Sequence, residues 1–159
     1  MSVFEKQLQR AAVESVQRSS KEIKRGVNAL DSIAATEHHP LWGDNVCWVV
    51  DRLKGQARDG VDSMSFAGAK DKEREAVSES LVDLSNACSL VKDSAVLPTP
   101  SSQVSFVAKN IGVVKSICHH LTDQFDDFTL TMKDADLERA TAKAKNHHRH
   151  VHNPSLSGV

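Results

Sequence analysis

Histidine is the residue of this chain best suited to chemistry, and four of its eight copies crowd the C-terminus as His147, His148, His150 and His152. His148 and His152 stand four positions apart and His147 and His150 three apart, spacings that on a helix let two imidazoles share a divalent ion. Any flexible His-rich run binds zinc or nickel weakly. The pattern is therefore read as a solvated tail that turns basic below the ordinary imidazole pKa of about 6.5, and no metal is assigned. A second cluster, His119, His120, Asp123, Asp126 and Asp127, puts His119 and Asp123 four apart, in reach of a shared ligand or a local hydrogen bond. All five fall off the apolar seam of their segment, on positions expected to face water. A di-iron bundle site needs inward carboxylates and Glu-x-x-His pairs, and the sequence holds no Glu-x-x-His. Nucleophile elbows, Walker loops, Rossmann fingerprints and zinc-protease helices are absent as well. Ser, His and Asp are plentiful, yet nothing places three of them together. No catalytic residue, cofactor or small-molecule substrate is expected, and the chain is not expected to be an enzyme.

The elements that would carry any site are helices. Val104, Val107, Ile111, Val114, Cys118, Leu121, Phe125, Phe128 and Met132 alternate steps of three and four from 101 to 132. A stripe repeating every 3.5 residues stays in contact with a neighbour only if the helices wrap at a shallow angle, so the seam demands partner helices. A third segment, from about 70 to 95, carries Val77, Leu81, Leu84, Cys88, Val91 and Ala95 in the same rhythm. The second is expected to start with Asp44 as cap and to bury Val46, Val50, Leu53 and Ala57. Gly60 is expected to end it, before a connector from Val61 to Ala69 whose Met64 and Phe66 tuck into the core.

The first segment runs from about residue 2 to 35, with Ser2 as cap and Glu5 three residues on, a start unlike a secretory signal. Its stripe, Phe4, Leu8, Ala12, Val16, Ser20, Ile23, Val27, Leu30 and Ala34, changes phase near Val16, which predicts that its first three turns dock differently. Thr36 to Gly43, with Pro40 inside it, breaks the first helix from the second, and Leu97-Pro98-Thr99-Pro100-Ser101-Ser102 separates the third from the fourth. Short turns between long helices force antiparallel neighbours. The expected fold is all-α: an antiparallel up-down-up-down four-helix bundle over residues 1–132, followed at 133–159 by a short helix from Asp134 and a flexible, His-rich tail.

Composition agrees. At 159 residues the chain suffices for one core, and 4 % aromatics without any Tyr leave little material for strands. No run approaches the roughly 18 apolar residues that cross a membrane. Cys47, Cys88 and Cys118 are odd in number and lack CxxC spacing, as expected of small buried hydrophobes in a reducing compartment, so a cytoplasmic location is expected. The net charge of −1, with slightly basic ends and an acidic middle, demands neither nucleic acid nor membrane.

Two features point outward. Trp42 lies in the loop between the first two helices, where it either plugs the end of the bundle or anchors a partner. Phe106, Val113 and Ile117 flank the main seam of the fourth helix and widen its apolar face toward a second neighbour or another chain. Trp42, Phe106, Val113 and Ile117 are thus the candidate partner-binding residues. The leading expectation is a non-enzymatic interaction or scaffold module that binds other proteins, copies of itself included. One alternative is a membrane-acting bundle that lays amphipathic helices on a lipid surface, although Glu14 and Glu22 dilute the basic face of the first helix. The other is a viral or filament coat subunit whose Lys6, Arg10, Arg18, Lys21, Lys24 and Arg25 contact phosphates.

Overall fold

The computed structural model describes the backbone of residues 2–37, 39–95 and 101–157, and the side chains of residues 2–37, 39–95 and 107–145. Among the described residues there are four helices and no strand: α1 (Val3–Ala34), α2 (Trp42–Phe66), α3 (Asp71–Ala95) and α4 (Ser101–Ser157).

Local chemistry explains where these begin and end. Ser2 caps α1 as its sequence predicts: its hydroxyl accepts the Glu5 N–H at 3.1 Å, and the Glu5 carboxylate accepts the Ser2 N–H at 3.4 Å. Helix α2 starts two residues before the expected cap. Leu41 occupies the cap position without a side-chain hydrogen bond, and Asp44 instead sits in the first turn, where its charge complements the helix dipole.

Gly60 does not end α2. The helix passes through it because α1 and α4 come too close for a side chain there: a Cβ would lie 2.6 Å from two ring carbons of Phe125 and 3.1 Å from Cβ of Ser19. The turn falls later, at Gly68, whose φ of +86° lies in the left-handed region that only glycine enters without strain. Met64 is buried as expected, whereas Phe66, expected in the core, is 81 % exposed because it closes α2 on its outer side. Helix α4 continues past Met132 without interruption, so the short helix expected to begin at Asp134 is the extension of α4 itself. The proline-rich turn at 97–100 and the side chains of His147, His148, His150 and His152 lie outside the described residues.

The helices pack as a four-membered ring, each against its two neighbours, with α2 and α4 also touching across the middle. Cross-links fix the directions. Gln9 donates to the Ala67 carbonyl at 3.1 Å and Ser15 shares a 2.9 Å hydrogen bond with Ser63, so rising numbers on α1 meet falling numbers on α2. The same holds for α1 and α4, where Arg10 meets Asp136 at 3.5 Å, Lys24 meets Asp126 at 2.7 Å and Asp31 meets Lys115 at 2.5 Å. This is the antiparallel four-helix bundle that the seams demand.

Its core follows those seams. On α4, Val107, Ile111, Val114, Cys118, Leu121, Phe125 and Phe128 are all buried, and Val77, Leu84, Cys88 and Val91 face them from α3, with Leu81 half-buried at the edge. Helix α2 contributes Val46, Val49, Val50, Leu53, Ala57 and Met64, and α1 contributes Val13, Val16, Ile23, Val27 and Leu30. The phase change near Val16 has a counterpart here. Before Val13 the α1 stripe leaves the core, and Phe4 and Leu8 are 67 % and 55 % exposed.

Candidate functional site

Trp42 is buried at the end of the bundle, the position of a plug, and its indole N–H finds no acceptor among the described residues. The exposed indole is that of Trp48, with the Arg52 guanidinium carbon 5.5 Å from its ring centre. Val113 is 45 % exposed and Ile117, one turn on along the same face of α4, is half-buried against the core. The Phe106 side chain lies outside the described residues. The core therefore closes without Val113, which stands as an apolar side chain in water.

The His119 cluster separates. His119, His120, Asp123 and Asp127 are exposed, but Asp126 turns toward α1 and accepts from the Ser20 hydroxyl and the Lys24 ammonium, both at 2.7 Å. Sequence periodicity missed this link because a carboxylate at the seam's edge reaches a neighbouring helix that periodicity does not locate. Among the described residues no group of three His, Cys, Asp or Glu side chains is placed to hold a metal. Of the six cations considered for phosphate contact, Arg10, Lys24 and Arg25 are committed to Asp136, Asp126 and Glu22.

The thiols are all free. Burial pushes Cys88 up to about 11 and Cys118 up to about 12, since a thiolate loses its hydration inside the bundle. Cys88 also aims its Sγ–H at the Val50 carbonyl, 3.6 Å away. Burial raises the less covered Cys47 too, against the opposing pull of Lys92. These are packing groups held in their protonated form, not nucleophiles.

The bundle opens at the end where α1 begins. Gln9 sits level with the α2–α3 turn, because its side chain bonds the Ala67 carbonyl there. Residues 3–8 of α1 therefore run about 9 Å past that turn, at about 1.5 Å per residue. Helix α4 runs alongside them, since Asp136 pairs with Arg10 and the residues beyond it extend in the same direction. Four helices have become two. The apolar side chains Phe4, Leu8 and Leu137 on this projection keep more than half their surface in water.

A groove of about 480 Å³ opens between the two helices. Val13, Met132 and Ala140 supply its apolar surface, and Gln9 lies at its inner end. Its rim carries five cations, Lys6, Arg10, Lys133, Arg139 and Lys143, against two carboxylates, Glu14 and Asp136. Asp136 is already shared by Arg10 at 3.5 Å and Arg139 at 2.8 Å, while Lys133 donates to the Gln17 side chain at 3.1 Å. Lys6 and Lys143 have no partner among the described residues, so the outer mouth of the groove is positively charged. No sequence signal announced it, because its two walls lie about 130 positions apart in the chain. A smaller, polar hollow of about 300 Å³ between α1 and α2 is spanned by the Ser15–Ser63 hydrogen bond.

Among the described residues no helix is long and apolar enough to cross a membrane. Fold and surface together define an antiparallel four-helix bundle protein with an open end whose groove carries a cation-rich rim. No protein-family model, curated protein or solved structure matches the chain.

Proposed function

We propose that this protein is a non-enzymatic helical interaction module, binding another protein chain through apolar side chains that its own core leaves uncovered. The observation that carries the reading is the contrast between a closed core and a set of large apolar residues outside it: Val113 on the flank of α4, and Phe4, Leu8 and Leu137 at the open end. Apolar surface held in water is favourable to cover, and two adjacent uncovered helix faces are a geometry that another helix fills. Trp42, buried as it is, serves the fold rather than the contact, and Ile117 supports Val113 from below. The three free cysteines favour a reducing, cytoplasmic setting.

The test compares the full chain with two variants, Val113→Glu and the double variant Phe4→Glu with Leu8→Glu. All substituted positions are exposed, so both variants are expected to keep the helical circular dichroism and the melting midpoint of the parent chain. Light scattering across a concentration series reads self-association, and affinity purification with quantitative mass spectrometry reads other partners. Loss of a specific partner, or of a dimer, in at least one folded variant supports the module. A chain that is monomeric throughout, with identical partners for all three proteins, overturns it.

A further inference from the structure

The charge of the groove identifies what the open end receives. Between the start of α1 and residues 132–143 of α4 it joins an apolar floor to a rim with five cations and two carboxylates. We infer that this groove is the docking site for an acidic amphipathic helix of another protein, an assignment that rests on the interaction-module reading and deepens it.

Length and shape fit a helix. The α4 wall from Met132 to Lys143 spans about 16 Å at about 1.5 Å per residue, the rise of three turns. Past the α2–α3 turn only two helices of the ring remain, so an added helix restores part of the missing layer. Its apolar stripe covers Val13, Met132 and Ala140. Its flanking carboxylates meet Lys6 and Lys143, the two rim cations that have no partner among the described residues, and then Arg139, whose present acceptor Asp136 is shared. Charge-assisted hydrogen bonds of this kind set orientation and partner choice more than raw affinity.

The same charges disfavour two other occupants. A second copy docking through a two-fold contact would present the same cation-rich rim from both sides, a net like-charge encounter that an acidic helix avoids. An anionic bilayer, which cannot enter the groove, would also face the carboxylates of Glu5, Asp134 and Glu138, which lie outside its lining and which a helix seated in the groove does not meet.

The experiment uses the full chain and three probes: a fluorescein-labelled helix-forming peptide of about four turns with a leucine stripe and glutamate flanks, its lysine-flanked counterpart, and phosphatidylserine vesicles. The expected result is that the glutamate peptide binds at least about tenfold tighter than the lysine peptide and weakens as salt rises. It is further expected to shift the amide resonances of residues 6–13 and 132–143, and to bind at least about tenfold weaker to the double variant Lys6→Glu with Lys143→Glu. Both substituted side chains are exposed, so that variant keeps the parent melting midpoint, and Val113→Glu binds the peptide as the parent does. Equal affinity for the two peptides, unchanged binding by the charge-reversed variant, binding to vesicles only, or a dimer that occupies the groove each overturns the assignment. If the glutamate peptide fails while Val113→Glu still removes a partner, the groove assignment falls and the interaction module stands. If neither surface affects any association, both fall.

Discussion

Replacing Gly60 with Ala is expected to weaken this bundle, although the same exchange usually strengthens a helix interior. Alanine gains about 1 kcal/mol over glycine in helix propensity. At Gly60 the new methyl group would stand 2.6 Å from Cε2 and Cζ of Phe125 and 3.1 Å from Cβ of Ser19, where relaxed carbon contacts need about 3.5–4.0 Å. Neither neighbour has room to retreat, because Phe125 is fully buried and Ser19 is 3 % exposed. The ring must move by about 1 Å inside a packed core, an overpacking that costs about 1–3 kcal/mol. Gly55 is the internal control: it lies in the same helix and a Cβ there meets nothing within 4 Å, so Gly55→Ala keeps the propensity gain alone. The two alanine variants should therefore differ by about 1–3 kcal/mol in denaturant titrations, or several degrees in melting midpoint for a chain of this length. Phe125→Leu deletes the ring atoms that the methyl group meets. In the double variant the Gly60→Ala penalty should largely disappear, leaving a coupling of about 1 kcal/mol or more. If Gly60→Ala raises the midpoint as much as Gly55→Ala does, α2 and α4 are not in this close contact and the packing described here is wrong.

Leu121→Ala, at a fully buried seam position, should cost about 2–5 kcal/mol in a urea titration, and a midpoint equal to the parent's would remove the seam from the core. Ser2→Ala breaks the capping box and should lower stability by about 1 kcal/mol at most, because the first turns of α1 are exposed and fray independently. The thiols give a pH dependence with a definite sign. Folding holds the protons of Cys88 and Cys118 up to about 11 and 12, above the ordinary value of 9.0, so their contribution is complete below pH 9 and is lost as pH rises toward those values. A parent chain whose urea midpoint falls no faster between pH 9 and 11 than that of the Cys88→Ala, Cys118→Ala variant would contradict their burial. Under native conditions a thiol reagent should reach Cys47 first and the other two only as fast as the bundle opens.

The two long seams were readable because a repeat of 3.5 residues has one physical use, and every described position of the α4 seam from Val107 to Phe128 is indeed buried. The Ser2 cap was readable because its mechanism is local. Gly60 misled for the opposite reason: glycine just past an apolar run is the usual helix stop, and only the approach of Phe125 from α4 reveals that it is there to admit a ring. Phe66 and Phe4 are exposed for different reasons. Phe66 falls on the outer side of α2, whereas Phe4 lies on an apolar stripe beyond the level at which α2 and α3 turn back near Gln9. That unequal length also creates the cationic groove. It depends on the register between α1 and α4, set by pairs such as Arg10–Asp136 that no local pattern announces. Trp42 could be read as plug or anchor from sequence, and its position at the start of α2, against the core, decides for the plug.

A closed core that leaves one end of the ring open is most directly tested by hydrogen–deuterium exchange on the free full-length chain, read amide by amide. Amides of Val107 to Phe128 in α4 and Val46 to Met64 in α2 should exchange only through global unfolding, whereas those of residues 5–9 and 137–145 should exchange orders of magnitude faster, because their helices lack neighbours on two sides. Uniform protection along the whole of α1 and α4 would contradict the open end and the groove it forms.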